Sequence, residues 1–172
     1  MKIVSLLPAA TEILCDMGLA EYISAVSHEC DYPSTINNKL KITSSIIPQN
    51  INQNAIDKLV KEAVKNNIPL YEVDNEQLNK INPDLIITQG LCDVCSISED
   101  RIQATLKNNL CTLSSSTKII SLNGITFDEI CSDILTVGIA VNKERIAQKL
   151  IKEAVGTKQK ITKKKSRDSL LL

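Results

Sequence analysis

The stretch Pro83-Asp84-Leu85-Ile86-Ile87-Thr88-Gln89-Gly90-Leu91-Cys92-Asp93-Val94-Cys95 decides the fold. Leu85 to Ile87 is a short apolar run, with Asn82-Pro83 before it and Gly90 after it. A run of that length between breakers reads as a strand buried on both faces, the pattern of a parallel sheet. Just past its carboxyl end stand Gln89, Gly90 and two cysteines. Open α/β sheets bind ligands where their strands end on the carboxyl side. One stretch thus supplies the middle of a core and the rim of a site.

The same alternation of short apolar runs and amphipathic segments extends in both directions. Lys2 to Leu7 predicts the first strand, Pro8 breaks it, and Ala9 to Met17 predicts a helix that Gly18 ends. Tyr22 to Ser27 predicts a second strand, which delivers His28-Glu29-Cys30-Asp31-Tyr32-Pro33 to its carboxyl end. Leu40 to Thr43 offers one short strand in a polar stretch. Ala55 to Asn66 predicts a helix with the stripe Ile56, Leu59, Val60 and Ala63. Pro69 to Val73 predicts a third strand, and Asp74 caps a short helix from Glu76 to Ile81.

Beyond the central strand, Ser98 caps a helix from Glu99 to Asn108, and Lys118 to Leu122 is another strand. Thr126 caps a helix from Phe127 to about Val141, and Asn142 caps a last helix from Lys143 to Val155. These spacings suit βαβ units throughout. After Gly156, lysines crowd a stretch with few apolar residues, which reads as a solvated, disordered tail.

Composition bounds the function. The 172 residues suit one domain of ordinary size, and 43% apolar residues suffice for a core. A formal net charge of zero gives no reason to expect nucleic acid or an acidic membrane surface as partner. No apolar run approaches the roughly 18–20 residues of a membrane span. Glu12 and Asp16 follow the apolar start too soon for a signal peptide, so the sequence points to a cytoplasmic protein. Six cysteines in that compartment read as free thiols, metal ligands or redox groups before structural disulfides.

Two loops could carry chemistry. His28, Cys30, Cys92 and Cys95 form a soft donor set that suits zinc or iron, provided the loops meet. A dithiol redox site is the enzymatic alternative. It fits less well, because Cys95 precedes the cap Ser98 rather than opening the helix whose dipole would activate a thiol. Cys15, Cys111 and Cys131 read better as small packed groups. His28, the only histidine, is as well explained by bonds to its loop as by a ligand role. Nucleotide-binding glycine loops and a nucleophile elbow are absent from the sequence.

Three segments, Lys2 to Leu14, Val26 to Pro33 and Pro83 to Gln89, resemble the cobalamin-binding proteins of ABC transporters. Ser27-His-Glu-Cys-Asp-Tyr-Pro33 and Thr88-Gln-Gly-Leu-Cys-Asp-Val-Cys95 are similar to a subgroup that often lacks a signal peptide. The resemblance runs to about residue 155. It implies a non-enzymatic α/β lobe of the class III periplasmic-binding-protein kind, three-layered with a mainly parallel sheet. Its ligand would be cobalamin or a related metal chelate, and its partner an ABC transporter. Pro8, Ala9, Thr11, His28, Glu29, Asp31, Tyr32, Gln89, Gly90 and Leu91 would touch the ligand.

Residues 1–141 would form that lobe and 142–156 the start of a linking helix, with 157–172 as the tail. The expectation is one lobe only, truncated in the linking helix. The stripe Ile146, Leu150, Ile151 and Ala154, left uncovered, would favour a homodimer.

Overall fold

The structure is a computed structural model. It describes residues 1–48, 50–66, 68–89, 113–114 and 116–168, with only the backbone described for 163–168. Two compact units divide at Asn123 and Gly124.

The first unit is built on a five-stranded sheet in the order β3-β2-β1-β6-β7. Its strands are β1 (Ile3–Ser5), β2 (Ile23–Val26), β3 (Leu40–Lys41), β6 (Leu85–Gln89) and β7 (Lys118–Leu122), all paired in parallel. In register, Ile3, Val4 and Ser5 lie beside Leu85, Ile86 and Ile87. Leu85 to Thr88 are all buried, as the apolar run foretold. Because the strands run in parallel, β1, β2 and β6 all end on one edge of the sheet.

Helices cover both faces. Helix α1 (Pro8–Asp16) has proline at its first position, where the missing N–H costs nothing. Gly18, at φ +75°, ends it and donates its N–H to the Cys15 carbonyl. Thr11 of α1 is bonded to Ser5, which places this helix on the Ser5 face of β1. The opposite face carries Val4 and Leu6, clustered with Ala25, Ile86 and Leu78. Leu78 belongs to α3 (Asn75–Ile81), which Asp74 caps by accepting the Gln77 N–H. One helix on each side of the sheet makes the three layers. Helix α2 (Gln53–Lys65) starts at Asn52, whose side chain accepts the Ala55 N–H.

The third expected strand departs from the parallel pattern. β4 (Thr43–Ser45) and β5 (Tyr71–Val73) pair antiparallel in a sheet of their own. The run at Leu40 to Thr43 serves both sheets, with Ile42 between β3 and β4. Ile42 donates its N–H to the Val26 carbonyl, and its own carbonyl accepts from Asp74.

The second unit begins at Gly124. Helix α4 (Phe127–Ala140) opens with a complete capping box between Thr126 and Glu129. Asn142 has φ +57°, and the Lys143 N–H returns to the Gly138 carbonyl. Asn142 therefore ends α4 and does not cap the helix after it, because a left-handed residue closes one helix and cannot open another. Helix α5 runs from Glu144 to Asp168. The expected division at 141 and 142 falls inside this unit, since α4 packs against α5. A Cβ built at Gly138 would lie 2.4 Å from the Cβ of Ala147.

In the segment expected as a tail, α5 continues through Gly156 to Asp168. One glycine costs a helix only about 1 kcal/mol, and lysine is a good helix former. The Thr157 and Thr162 hydroxyls donate to the carbonyls of Glu153 and Lys158, each at 3.0 Å. The Lys158 ammonium sits 4.0 Å from the centroid of the Phe127 ring. No helix among the described residues is long and apolar enough to cross a membrane. The helix expected at 99–108 lies outside the described residues.

Candidate functional site

A polar cluster gathers on the edge where β1 and β2 end. It has two parts, built from side chains of the strands, their loops and the first turn of α1.

The first part is buried. Ser5, Thr11 and Cys30 are each 1% exposed or less. The Ser5 hydroxyl donates to the Leu7 carbonyl at 3.2 Å, and the Thr11 hydroxyl lies 2.8 Å from Ser5 Oγ. Cys30 Sγ is 3.2 Å from Thr11 Oγ1. The Thr11 hydroxyl also lies 3.2 Å from the Leu7 carbonyl, so that carbonyl faces both hydroxyls, and Thr11 and Cys30 share one hydrogen bond. Burial is the main influence on this thiol and pushes its pKa up; hydrogen bonding at Thr11 and at the Ser27 backbone works against it. The backbone of the loop is tied as well. Cys30 donates its N–H to the Ser27 carbonyl at 3.1 Å, and Lys41 bonds to the Cys30 carbonyl.

The second part lies nearer the surface. Thr43 Oγ1 accepts the His28 backbone N–H at 2.9 Å and lies 2.6 Å from His28 Nδ1. It donates to Ser27 Oγ at 3.2 Å. Ser27 Oγ also accepts the Glu29 N–H at 3.3 Å. Tyr71 packs a tilted ring 5.4 Å from the imidazole and donates its hydroxyl to Glu29 Oε1 at 3.2 Å. His28 is half-buried, while Glu29, Asp31 and Tyr32 are exposed, Tyr32 at 65%.

The other expected site residues can be placed on the same frame. Pro8 is half-buried and Ala9 exposed, in the first turn of α1 directly after β1. Gln89 is half-buried at the carboxyl end of β6. Thr11 turns inward to Ser5 and Cys30, so its hydroxyl is occupied by the fold. Gly90, Leu91, Cys92 and Cys95 lie outside the described residues, as does Cys111. Of the four proposed metal ligands, His28 and Cys30 are described, and Cys30 Sγ is engaged by Thr11. Among the described residues, no three His, Cys, Asp or Glu side chains gather to hold a metal ion. Cys15 and Cys131 are half-buried free thiols. Ser5, Thr43, Lys41 and Tyr71 take part in the cluster without having stood out in the sequence, and Ser27, which opens the quoted Ser27–Pro33 stretch, was not among the expected site residues.

No protein-family model matches the sequence, and no curated protein resembles it significantly. Solved structures do. A solute-binding protein of Staphylococcus epidermidis, described as a possible iron-binding protein, superposes with a TM-score of 0.65 at 23% identity. The match covers 93% of this chain and 49% of that one. The periplasmic vitamin B12 binding protein of Vibrio cholerae gives 0.61 at 22% identity, over 95% of this chain and 50% of that one. The fold is that of periplasmic solute-binding proteins.

The periplasmic heme binding protein of Vibrio cholerae shares it too, with a TM-score of 0.56 at 19% identity. That match covers 89% of this chain and 46% of the neighbour. The chain thus spans about half the length of these structures. The class III lobe expected from the sequence is the fold observed, with a mainly parallel central sheet.

Proposed function

We propose that this chain supplies the ligand-contacting lobe of a solute-binding protein for a metal chelate, with cobalamin as the first ligand to test. The observation that carries the proposal is the polar cluster around His28. It stands on the sheet edge where open α/β folds bind ligands. It also stands on a fold shared with proteins described as binding vitamin B12 and heme.

The cluster offers a chelate one imidazole at the rim. A chelated metal brings most of its own coordination sphere, and a single added nitrogen completes it. Exposed Tyr32 beside the site offers a flat apolar ring with a polar tip, suited to a large conjugated ligand. The proposed partner is an ABC transporter that accepts the loaded protein.

Titration calorimetry with cobalamin, and with haemin in parallel, tests this reading. Saturable one-to-one binding that His28→Ala weakens is the expected result. Absence of heat and of any change in the ligand absorption band with both compounds would refute it.

A further inference from the structure

We propose that Thr43, through Ser27, is a positioning residue that holds His28 as the Nδ1–H tautomer, with Nε2 as the lone pair offered to a ligand. The proposal rests on the chelate reading for its purpose, and on hydrogen-bond accounting for its substance.

Thr43 Oγ1 has one proton and two lone pairs. The proton goes to Ser27 Oγ, 3.2 Å away. One lone pair takes the His28 backbone N–H at 2.9 Å. The remaining lone pair faces His28 Nδ1 at 2.6 Å. With the Thr43 proton on Ser27, two lone pairs would face each other unless Nδ1 carries the hydrogen, and this is the tautomer proposed. In a neutral imidazole the other nitrogen is then unprotonated. Nε2 has no hydrogen-bond partner among the described residues. The Tyr71 ring, 5.4 Å from the imidazole, restricts its rotation. Thr43 itself is 8% exposed and sits in β4, and Ser27 is 4% exposed at the end of β2. The orienting pair therefore belongs to the packed interior and the imidazole to the rim.

The ring is thereby set up for an electron-pair acceptor, such as a metal centre with one open position. The opposite tautomer would present an N–H and repel it. Hydrogen-bond partners of ligating histidines act in this way, and their loss typically costs about 10–100-fold in affinity.

Because the chain has one histidine, selective 15N labelling reports this ring without overlap. Long-range 1H–15N correlation spectra of the ligand-free protein, recorded where the ring is neutral, are expected to show Nδ1 protonated. Ser27→Ala removes the acceptor for the Thr43 proton and leaves Thr43 free to donate to Nδ1. The tautomer ratio should then move toward Nε2–H by about fivefold, the worth of one hydrogen bond. Thr43→Ser should keep the wild-type ratio, and Thr43→Val should lose it. A wild-type spectrum with Nε2 protonated, or a ratio that Ser27→Ala leaves unmoved, would overturn the proposal.

The ligand arm uses haemin and cobalamin. Thr43→Val is expected to raise Kd by about tenfold or more, and Thr43→Ser to restore it. Equal affinity for wild type and Thr43→Val would overturn the positioning role. A correct tautomer pattern with no binding of either chelate by the wild type would leave the tautomer assignment standing and remove the chelate reading instead.

Discussion

Replacing Gly138 with alanine should destabilise the α4–α5 pair, although alanine is the better helix former. The new Cβ would lie 2.4 Å from Ala147 Cβ, 3.4 Å from the Lys143 carbonyl oxygen and 3.5 Å from Glu144 Cα. Carbon atoms pack best at about 3.5–4.0 Å, so the first distance is more than an ångström short. A Cβ has no rotamer through which to retreat, so the helices themselves must part. Overpacking of this kind costs about 1–3 kcal/mol, and the rigid contact places this case toward the upper end. Helix propensity returns about 1 kcal/mol. The net loss should be about 1–2 kcal/mol, or a Tm lower by about 2–8 °C for a chain of this size. Urea or thermal unfolding followed by circular dichroism reads it. Ala147→Gly in the Gly138→Ala background should recover part of the loss, giving a coupling of about 1 kcal/mol. A Gly138→Ala variant as stable as the wild type, or more stable, would refute the close approach of the two helices.

Thr11→Val removes the donor to Ser5 and the hydrogen-bond partner of Cys30, and should cost about 1–3 kcal/mol in denaturant unfolding, while Thr11→Ser should cost less. The folded-state pKa of the Cys30 thiol is raised, chiefly by burial, so its contribution to stability is fully present below the unfolded thiol value of about 8.5. That contribution is lost as pH rises from there through the folded value, and unfolding midpoints compared between wild type and Cys30→Ser from pH 7 to 10 should converge. Glu129 behaves in the opposite sense. The backbone N–H groups of Thr126 and Ile125 hold its carboxyl below the ordinary range. Its capping contribution is present above about pH 4.3 and lost as pH falls through the folded value, so amide exchange at the start of α4, corrected for its intrinsic pH dependence, should rise there. Glu129→Gln should remove that pH dependence.

The parallel frame was legible because β1, β2, β6 and β7 are short apolar runs whose burial needs no distant partner to be recognised. Caps at Asp74 and Thr126 were equally plain, since a cap and its helix are adjacent in sequence. The role of Tyr71 to Val73 was not legible. Three residues of β5 read like another parallel strand, and only the pairing of Thr43 with Val73 places them elsewhere. Asn142 misled because asparagine both opens helices and closes them, and its positive φ is not visible in a sequence. The rim of the site was half legible. His28 and its neighbours stand out by type, whereas Thr43 and Tyr71 are common residues brought to His28 by folding alone. The hydrogen bond between Thr43 and Ser27 spans 16 positions.

Ile42 lies between the two sheets, 1% exposed, with its N–H bonded to Val26 and its carbonyl bonded to Asp74. It acts as a rivet. The next residue is Thr43, so the group that aims the imidazole hangs from a backbone pinned on both sides. On the proposed function, a residue mounted in this way would have little configurational freedom left to surrender on ligand binding, and the ordering cost that weakens floppy sites would be largely met during folding. If the proposed function holds, loosening the rivet with Ile42→Ala would return that cost to the moment of binding and weaken it, although Ile42 itself lies in the interior.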